Sequence, residues 1–455
     1  MMRFRGIVGL ALLWALGGCA GGEHENGPRY NVVLVTLDTT RADRFGCYGY
    51  DKDTTPHFDL LAADGVRFDM AAASASVTPV SHASILTGLN QYRHGLRVLH
   101  AASAYRLEPE IPTLTTILKD HGWTNGAFLS AFTVSEYYGF DHGFDRFDNG
   151  IDTPVDEVLQ PDGDGRYRWQ VQKNQQRSDV TTDRAIEWLT GAREPFFLWV
   201  HYWDPHDAAI KPPNGVLNKF GYHGSVGDDR MRALYDAEVQ FVDSQFGRLV
   251  AELKAGGLYE NTILVVTSDH GEGLGDHDWW GHRILYQEQI RVPLIFRLPA
   301  GPTGLSVSSL ARTIDIVPTV LDWLDLEPQG RMEGRSLHPL LDGKPDEPRI
   351  AYADQLNLFD TNAGLLERRP QADLLHSATD GRWKLIHRPR HPGWSELYDL
   401  EADPGETTNL YESEPAEAKR LMKFLEDSGG FVARPFGESA DAQARERLKA
   451  LGYVN

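Results

Sequence analysis

The chain has 455 residues, 41% of them hydrophobic and 24% charged, with a formal net charge of −20. That is ordinary composition for a globular protein with a large core, and it excludes a disordered or fibrous chain. The acidic balance leaves no basic footprint for nucleic acid.

The chain opens MMRFRGIVGLALLWALGGCAGG. Arg3 and Arg5 form a basic n-region, and the apolar core Ile7 to Leu16 is too short to span a bilayer. The core stops at Leu16-Gly17-Gly18-Cys19, which resembles a bacterial lipobox. Residues 1–18 therefore read as a signal peptide, Cys19 as the lipidated residue and residues 19–29 as a tether. The alternative is ordinary signal cleavage nearby with an incidental cysteine. An exported lipoprotein of the bacterial cell envelope, held to the membrane by its lipid anchor only, is the expectation.

Asn31 to Leu37 is a continuous apolar run, expected to be a strand buried on both faces, and it ends at Asp38-Thr39. Pro56 to Gly65 reads as a short helix. In the small-residue stretch after Ala71, Ser81 is expected to cap a helix over His82 to Thr87, with Thr78 just before it. A hydroxyl at a helix start sits in a field that favours an anion. By local pattern alone, Thr78 is a turn residue. Leu114 to Asp120 reads as a helix and Gly126 to Leu129 as a strand, with a polar insertion from Asp148 to Gln176.

Thr181 to Leu189 follows as a helix. Pro195 to Val200 is a second buried strand, leading into His201-Tyr-Trp-Asp204-Pro-His206-Asp207. Asp229 to Leu253 carries a helical apolar stripe. Thr262 to Val266 is a third buried strand, ending in Asp269-His270-Gly271 with Glu272, Asp276, His277, Asp278 and His282 close behind. Val292 to Leu298 reads as a strand and Thr313 to Leu324 as a helix. From about residue 346, short strand candidates alternate with turns, followed by helices at Ala416 to Glu426 and Ala440 to Leu451.

Three strands ending in acid, histidine or both imply one crest, because ligands of a doubly wound sheet bind beyond the carboxyl ends of its strands. The expected fold is α/β: a large, mostly parallel doubly wound sheet flanked by helices over residues 30–345, with a smaller α+β subdomain with an antiparallel sheet over 346–455.

Read together and in order, NVVLVTLDTTRADRFGCYGY, TPVSHASILTG, FFLWVHYWDPHD, VVTSDHGEGLGDHDWWGH, RVPLIFR and ELYDLEADPGETTNL resemble the sulfatase family within the alkaline phosphatase superfamily. The resemblance implies one divalent cation (Ca, Mg, Mn or Zn) held by Asp38, Asp269 and His270 together with Thr78. His277 is a candidate for a second metal site. Sulfatases carry Cys or Ser at the nucleophile, converted to formylglycine, and this chain places Thr78 there, which cannot be converted. The segment resembles branches that use threonine itself, including phosphoester- and phosphonate-cleaving enzymes. The implied activity is hydrolysis of sulfate- or phosphate-type esters by metal-activated Thr78, with His206 or His282 protonating the leaving oxygen. His277, His201 and Thr39 are candidate substrate contacts. The substrate is an anionic ester, glycan or lipid linked. A phosphoglycerol- or phosphoethanolamine-type transferase of the same fold and a non-catalytic surface lipoprotein that only binds are the alternatives.

Overall fold

A computed structural model describes residues 29–99, 106–151, 174–206, 208–344, 346–360 and 363–431. Cys19, the signal peptide, most of the tether, most of the insertion after Asp148, Asp207 and the expected helix Ala440 to Leu451 lie outside the described residues.

The main sheet grows from β1 (Asn31–Leu37), whose seven residues are all buried. In chain order the other strands are β2 (Val66–Phe68), β3 (Ala71–Ala72), β4 (Thr124–Leu129), β5 (Arg146–Asp148), β6 (Phe196–Tyr202), β7 (Thr262–Ser268), β8 (Arg291–Val292), β9 (Leu294–Arg297), β10 (Leu305–Val307) and β11 (Ala311–Arg312). Eight of them form one sheet in the order β10-β2-β9-β7-β1-β6-β4-β5, and β11, β3 and β8 form a small second sheet. From β7 to β5 all pairings are parallel. β9 runs antiparallel to both its neighbours. Pro293 splits the apolar run that the sequence suggests as one strand, because it has no N–H for a ladder.

Strand alternation sends Val32 and Leu34 to one face, with Ile85, Ile117 and Val320 from helices. It sends Val33, Val35 and Leu37 to the other, with Phe58, Leu189 and Phe246. Each such side chain, fully buried, contributes about 1.5–3 kcal/mol. Helices therefore cover both faces, the doubly wound arrangement expected. Among the described residues, no helix is long and apolar enough to cross a membrane.

The register fixes the site. Leu37 of β1 lies opposite Tyr202 of β6 and Ser268 of β7. The three strands therefore stop level with one another, and Asp38, Trp203 and Asp269 leave the sheet along one edge.

The helix after β3 spans Thr78–Thr87, four residues longer at its start than expected. Pro79 lies in its first turn, where the fixed φ suits a helix start and the missing N–H costs nothing. Ser81 does not cap it; its Oγ donates to the carbonyl of Asp269 at 2.7 Å.

The C-terminal part is an antiparallel sheet of β12 (Ala351–Gln355), β13 (Leu375–Thr379), β14 (Trp383–His387) and β15 (Glu396–Asp399), in that order. The helix Pro415–Ser428 packs Leu421 and Leu425 on one face, against Leu385 and Leu397. The other face packs Ile386 and Tyr398 against Trp279, Leu285 and Tyr286 of the loop after β7.

Candidate active site

Asp38, Asp269 and His270 meet at the edge where β1 and β7 end, with their ligand atoms all within 4.8 Å of one another. All three are fully buried. Thr39 takes a left-handed backbone at φ 47°, and its N–H donates to Asp269 Oδ1 at 3.1 Å. The N–H of His270 donates to the same oxygen at 2.7 Å. Gly271 passes so close to the Glu288 carbonyl that a Cβ has no room there.

Four buried atoms of this group have no hydrogen-bond partner: both Asp38 oxygens, Asp269 Oδ2 and His270 Nε2. Burial raises the pKa of Asp38 well above the usual carboxylate range, the Thr78 hydroxyl beside it works the other way, and the charge of Glu272 adds to the rise. Burial, and then the charge of Asp38, raises Asp269 in the same direction. Burial holds His270 neutral. Two carboxylates that disfavour each other's charge, beside a neutral imidazole, fit a divalent cation. His270 Nδ1 lies 3.0 Å from the Gly271 carbonyl and so carries the proton, leaving Nε2 as the ligating atom.

Thr78 is the first residue of its helix and only 2% exposed. Its carbonyl accepts a hydrogen bond from His82 Nδ1 at 2.8 Å, and that nitrogen is also 3.6 Å from Asp269 Oδ2. His82 thus ties the start of the Thr78 helix to Asp269.

The histidine rings form a chain. His270 and His282 have centroids 4.7 Å apart, His282 and His206 5.3 Å, and His206 stacks on Trp203 at 3.8 Å. His282 Nδ1 donates to the Ser76 carbonyl at 2.8 Å, so Nε2 is the nitrogen left for a substrate. Burial lowers the pKa of His206 to about 3, with the charges of His270, His201 and Arg283 adding to it. Burial, His206 and Arg283 hold His282 well below its ordinary value.

Two sequence candidates lie outside this chain of rings. His201 is fully buried inside β6, with Nδ1 3.2 Å from Thr36 Oγ1 and Nε2 3.4 Å from Asp38 Oδ2. It touches the Asp38 carboxylate. His277 has its Nδ1 2.9 Å from Glu288 Oε1, its Nε2 3.3 Å from the Glu406 carbonyl, and its ring stacked on Tyr286 at 3.8 Å. It lines a cleft of about 650 Å³ with Arg41, Asp276 and Arg291, and that cleft contains none of Asp38, Asp269 or His270. His277, Glu288 and Glu406 bring three donor groups together. The fully buried Lys384 already supplies a cation there, at 2.7 Å from Glu406 Oε1. Tyr202, Trp203 and Trp279 are buried packing residues.

Several further residues support this group. Tyr235 OH donates to the Thr39 carbonyl at 2.6 Å and accepts from the N–H of Arg41 at 3.0 Å. Arg41 spans Asp43 and Asp276, both at 2.6 Å. Arg283, at φ 86°, pairs with Asp360 at 2.7 Å. Glu272, half-buried and acting on Asp38 through its charge, is pushed up to about 7 by the loss of water around it. Polar residues inside apolar strands, such as Thr36, are the one signal that could have pointed to this layer.

A family model described as Sulfatase matches residues 30–326, and one described as N-sulphoglucosamine sulphohydrolase, C-terminal, matches residues 275–428. The chain is 26% identical to the N-acetylglucosamine-6-O-sulfatase of Bacteroides thetaiotaomicron, over 93% of this chain and 90% of that one. Two solved structures share the fold. One is a protein in complex with its substrate D-glucosamine-2-N,6-O-disulfate, at TM-score 0.69 and 22% identity over 88% of this chain and 98% of that one. The other is the phosphonate monoester hydrolase of Agrobacterium radiobacter, at TM-score 0.67 and 22% identity over 88% and 95%. The first matched span opens one residue before β1 and closes beyond every strand that delivers an acid or histidine to the crest, so the chain belongs to the sulfatase family of ester hydrolases, on an alkaline-phosphatase-like fold.

Proposed function

We propose that the protein hydrolyses anionic sulfate- or phosphate-type esters with Thr78 as the nucleophile. The observation that carries this is the threonine hydroxyl at a helix start, next to a buried Asp38–Asp269–His270 group with four unpaired atoms. A divalent cation held by those three residues supplies Lewis-acid polarisation and offsets the charge of the ester.

Thr78 Oγ forms a bond to phosphorus or sulfur, the bond to the leaving alcohol breaks, and the Thr78 hydroxyl proton passes through His206 or His282 to the alcohol oxygen. Both rings are held neutral in the free protein by burial. An arriving anion reverses that shift, because an opposite charge within about 4–6 Å favours the protonated ring. Water then displaces Thr78 Oγ and restores the hydroxyl. A threonine ester has no second hydroxyl through which to expel the group by elimination, so direct attack by water is required. Phosphorus esters suit that step better than sulfate esters.

The relative named as a glucosamine sulfatase and the relative solved with a disulfated glucosamine support a sulfated glycan. The phosphonate monoester hydrolase supports a phosphorus ester. We further propose export and lipid anchoring at Cys19, on the strength of Arg3, Arg5 and the apolar core before it.

The test is turnover of nitrophenyl sulfate, phosphate-diester and phosphonate esters by wild type, Thr78→Ala and Thr78→Ser. The alanine variant is expected to lose about 10³-fold or more in kcat with its fold intact, and the serine variant to keep part of the activity. Mass spectrometry of a quenched reaction is expected to show the added group on the peptide containing Thr78. Wild-type rates in Thr78→Ala on every ester hydrolysed would refute the assignment.

A further inference from the structure

We propose that Asn357 is a positioning residue for His282: its side-chain amide holds the backbone that sets this ring against the segment leading to Thr78. The inference rests on the reading of Thr78 and His282 as groups that act on the ester.

The C-terminal sheet delivers Asn357. β12 ends at Gln355, and Asn357 opens a single helical turn, Asn357–Phe359, directly behind it. Asn357 is buried, and its Nδ2 donates to two carbonyls, that of Arg283 at 2.9 Å and that of Ala372 at 2.8 Å. Its Oδ1 accepts from Gln355 Nε2 at 3.0 Å. These neighbours fix the orientation of the amide. Turned the other way, its oxygen would face two carbonyl oxygens, and both hydrogens would lose their acceptors. One of those hydrogens is committed to the residue next to His282.

Arg283 needs such a partner. Its φ of 86° is unfavourable for a residue with a Cβ. The turn after β12 grips it twice, since Asp360 pairs with its guanidinium at 2.7 Å. On either side of Arg283 the chain is tied to Ser76, two residues before Thr78. His282 Nδ1 donates to the Ser76 carbonyl at 2.8 Å. Ser76 Oγ donates to the Ile284 carbonyl, also at 2.8 Å and nearer than Gln355 Oε1 at 3.3 Å. Three consecutive residues thus have set contacts, His282 and Ile284 with Ser76 and Arg283 with Asn357. Ser76, Arg283 and Asn357 are all buried, so water does not stand in for any of these bonds. Without the Asn357 amide, the Arg283 carbonyl becomes a buried acceptor with no partner, and the backbone between His282 and Ile284 turns to find one. That turn draws His282 away from Ser76 and changes where its Nε2 points relative to Thr78.

The test is a double-mutant cycle in the full chain, Asn357→Ala with His282→Gln, read on the nitrophenyl ester that wild type turns over fastest. Asn357→Ala is expected to lower kcat about 10- to 100-fold, the scale of a reacting group displaced by up to about 1 Å, with KM and bound metal unchanged. Added to His282→Gln, it is expected to cost almost nothing more, because residues that act as a unit are not additive. Asp360→Asn loosens Arg283 from its guanidinium side and is expected to show a smaller loss in the same pattern. It carries the test if Asn357→Ala does not fold. A folded Asn357→Ala at the wild-type kcat overturns the proposal, and so does a loss of equal size with and without His282. Failure of both variants to fold overturns it as well, because the turn is then structural. His282→Gln at the wild-type kcat also overturns it. Thr78→Ala, measured alongside, tells the two failures apart: it keeps wild-type turnover if the reading of the site is wrong, and loses it if only the role of Asn357 is.

Discussion

Asp269→Asn should abolish the stabilisation that metal gives the protein without destabilising the metal-free form. The substitution is close to isosteric, and the amide oxygen can still accept from the N–H groups of Thr39 and His270. What changes is the atom without a partner, Oδ2, and the charge. In chelated wild type, two carboxylates face each other with ligand atoms within 4.8 Å. At an effective dielectric near 20, two unit charges at that separation repel by about 3.5 kcal/mol. Proton uptake can relieve part of this, because both groups have raised pKa values. Chelated Asp269→Asn should therefore be as stable as chelated wild type, or more stable by up to ~3 kcal/mol. Metal at about a hundred times its Kd adds about 2.7 kcal/mol to wild type. The variant should gain almost none. Thermal melts with chelator and with each of Mg²⁺, Ca²⁺, Mn²⁺ and Zn²⁺, alongside elemental analysis, check both halves. A variant that keeps wild-type metal stoichiometry refutes the ligand assignment. A chelated variant more than about 1 kcal/mol below chelated wild type refutes the repulsion argument.

Breaking the buried Lys384–Glu406 pair should cost about 3–5 kcal/mol, towards the low end because burial pushes the lysine down and the glutamate up. Lys384→Met should lower the urea midpoint by that amount, and Lys384→Met with Glu406→Gln should recover much of it; a single variant within about 1 kcal/mol of wild type would count against the pair. His277 titrates in the opposite sense to an acid. Burial lowers its pKa, but the hydrogen bond and charge of Glu288 outweigh that and leave it raised above 6.5. Its contribution is full below 6.5 and is lost as pH rises through the higher folded value. Urea midpoints on either side of that window should fall with pH more steeply in wild type than in His277→Gln. Equal slopes would sink the argument.

The crest was legible because β1, β6 and β7 are unbroken apolar runs that stop at Asp38, at the His201–His206 segment and at Asp269. Parallel strands of a doubly wound sheet leave few other places for those residues to go. The start of the Thr78 helix was not, since two signals competed. Ser81 reads as a cap, but Pro79 starts the helix earlier, and the Ser81 hydroxyl is committed to the Asp269 carbonyl. The histidines were harder still. Both faces of β6 are buried, so alternation says nothing about whether His201 faces substrate or core. His277 takes its partners from Glu288, eleven positions on, and from Glu406, 129 positions on. No local pattern encodes a contact of that span. Thr39, a candidate substrate contact in the sequence, has a backbone task in the structure, its N–H donating to Asp269.

The loop after β7 carries four non-glycine residues with left-handed backbone, Leu274, His277, Asp278 and Arg283. Each costs energy that must be held in place from outside. The holding groups come from the C-terminal part of the chain: Glu406 and Arg369 on His277, and Asp360 on Arg283. The stretch that presents His282 is therefore inherited as half of a pair. A graft of residues 272–290 into a relative, or a swap of C-terminal sheets between relatives, would carry over a bent loop without its clamp. Recombination in this fold should succeed only where both halves travel together.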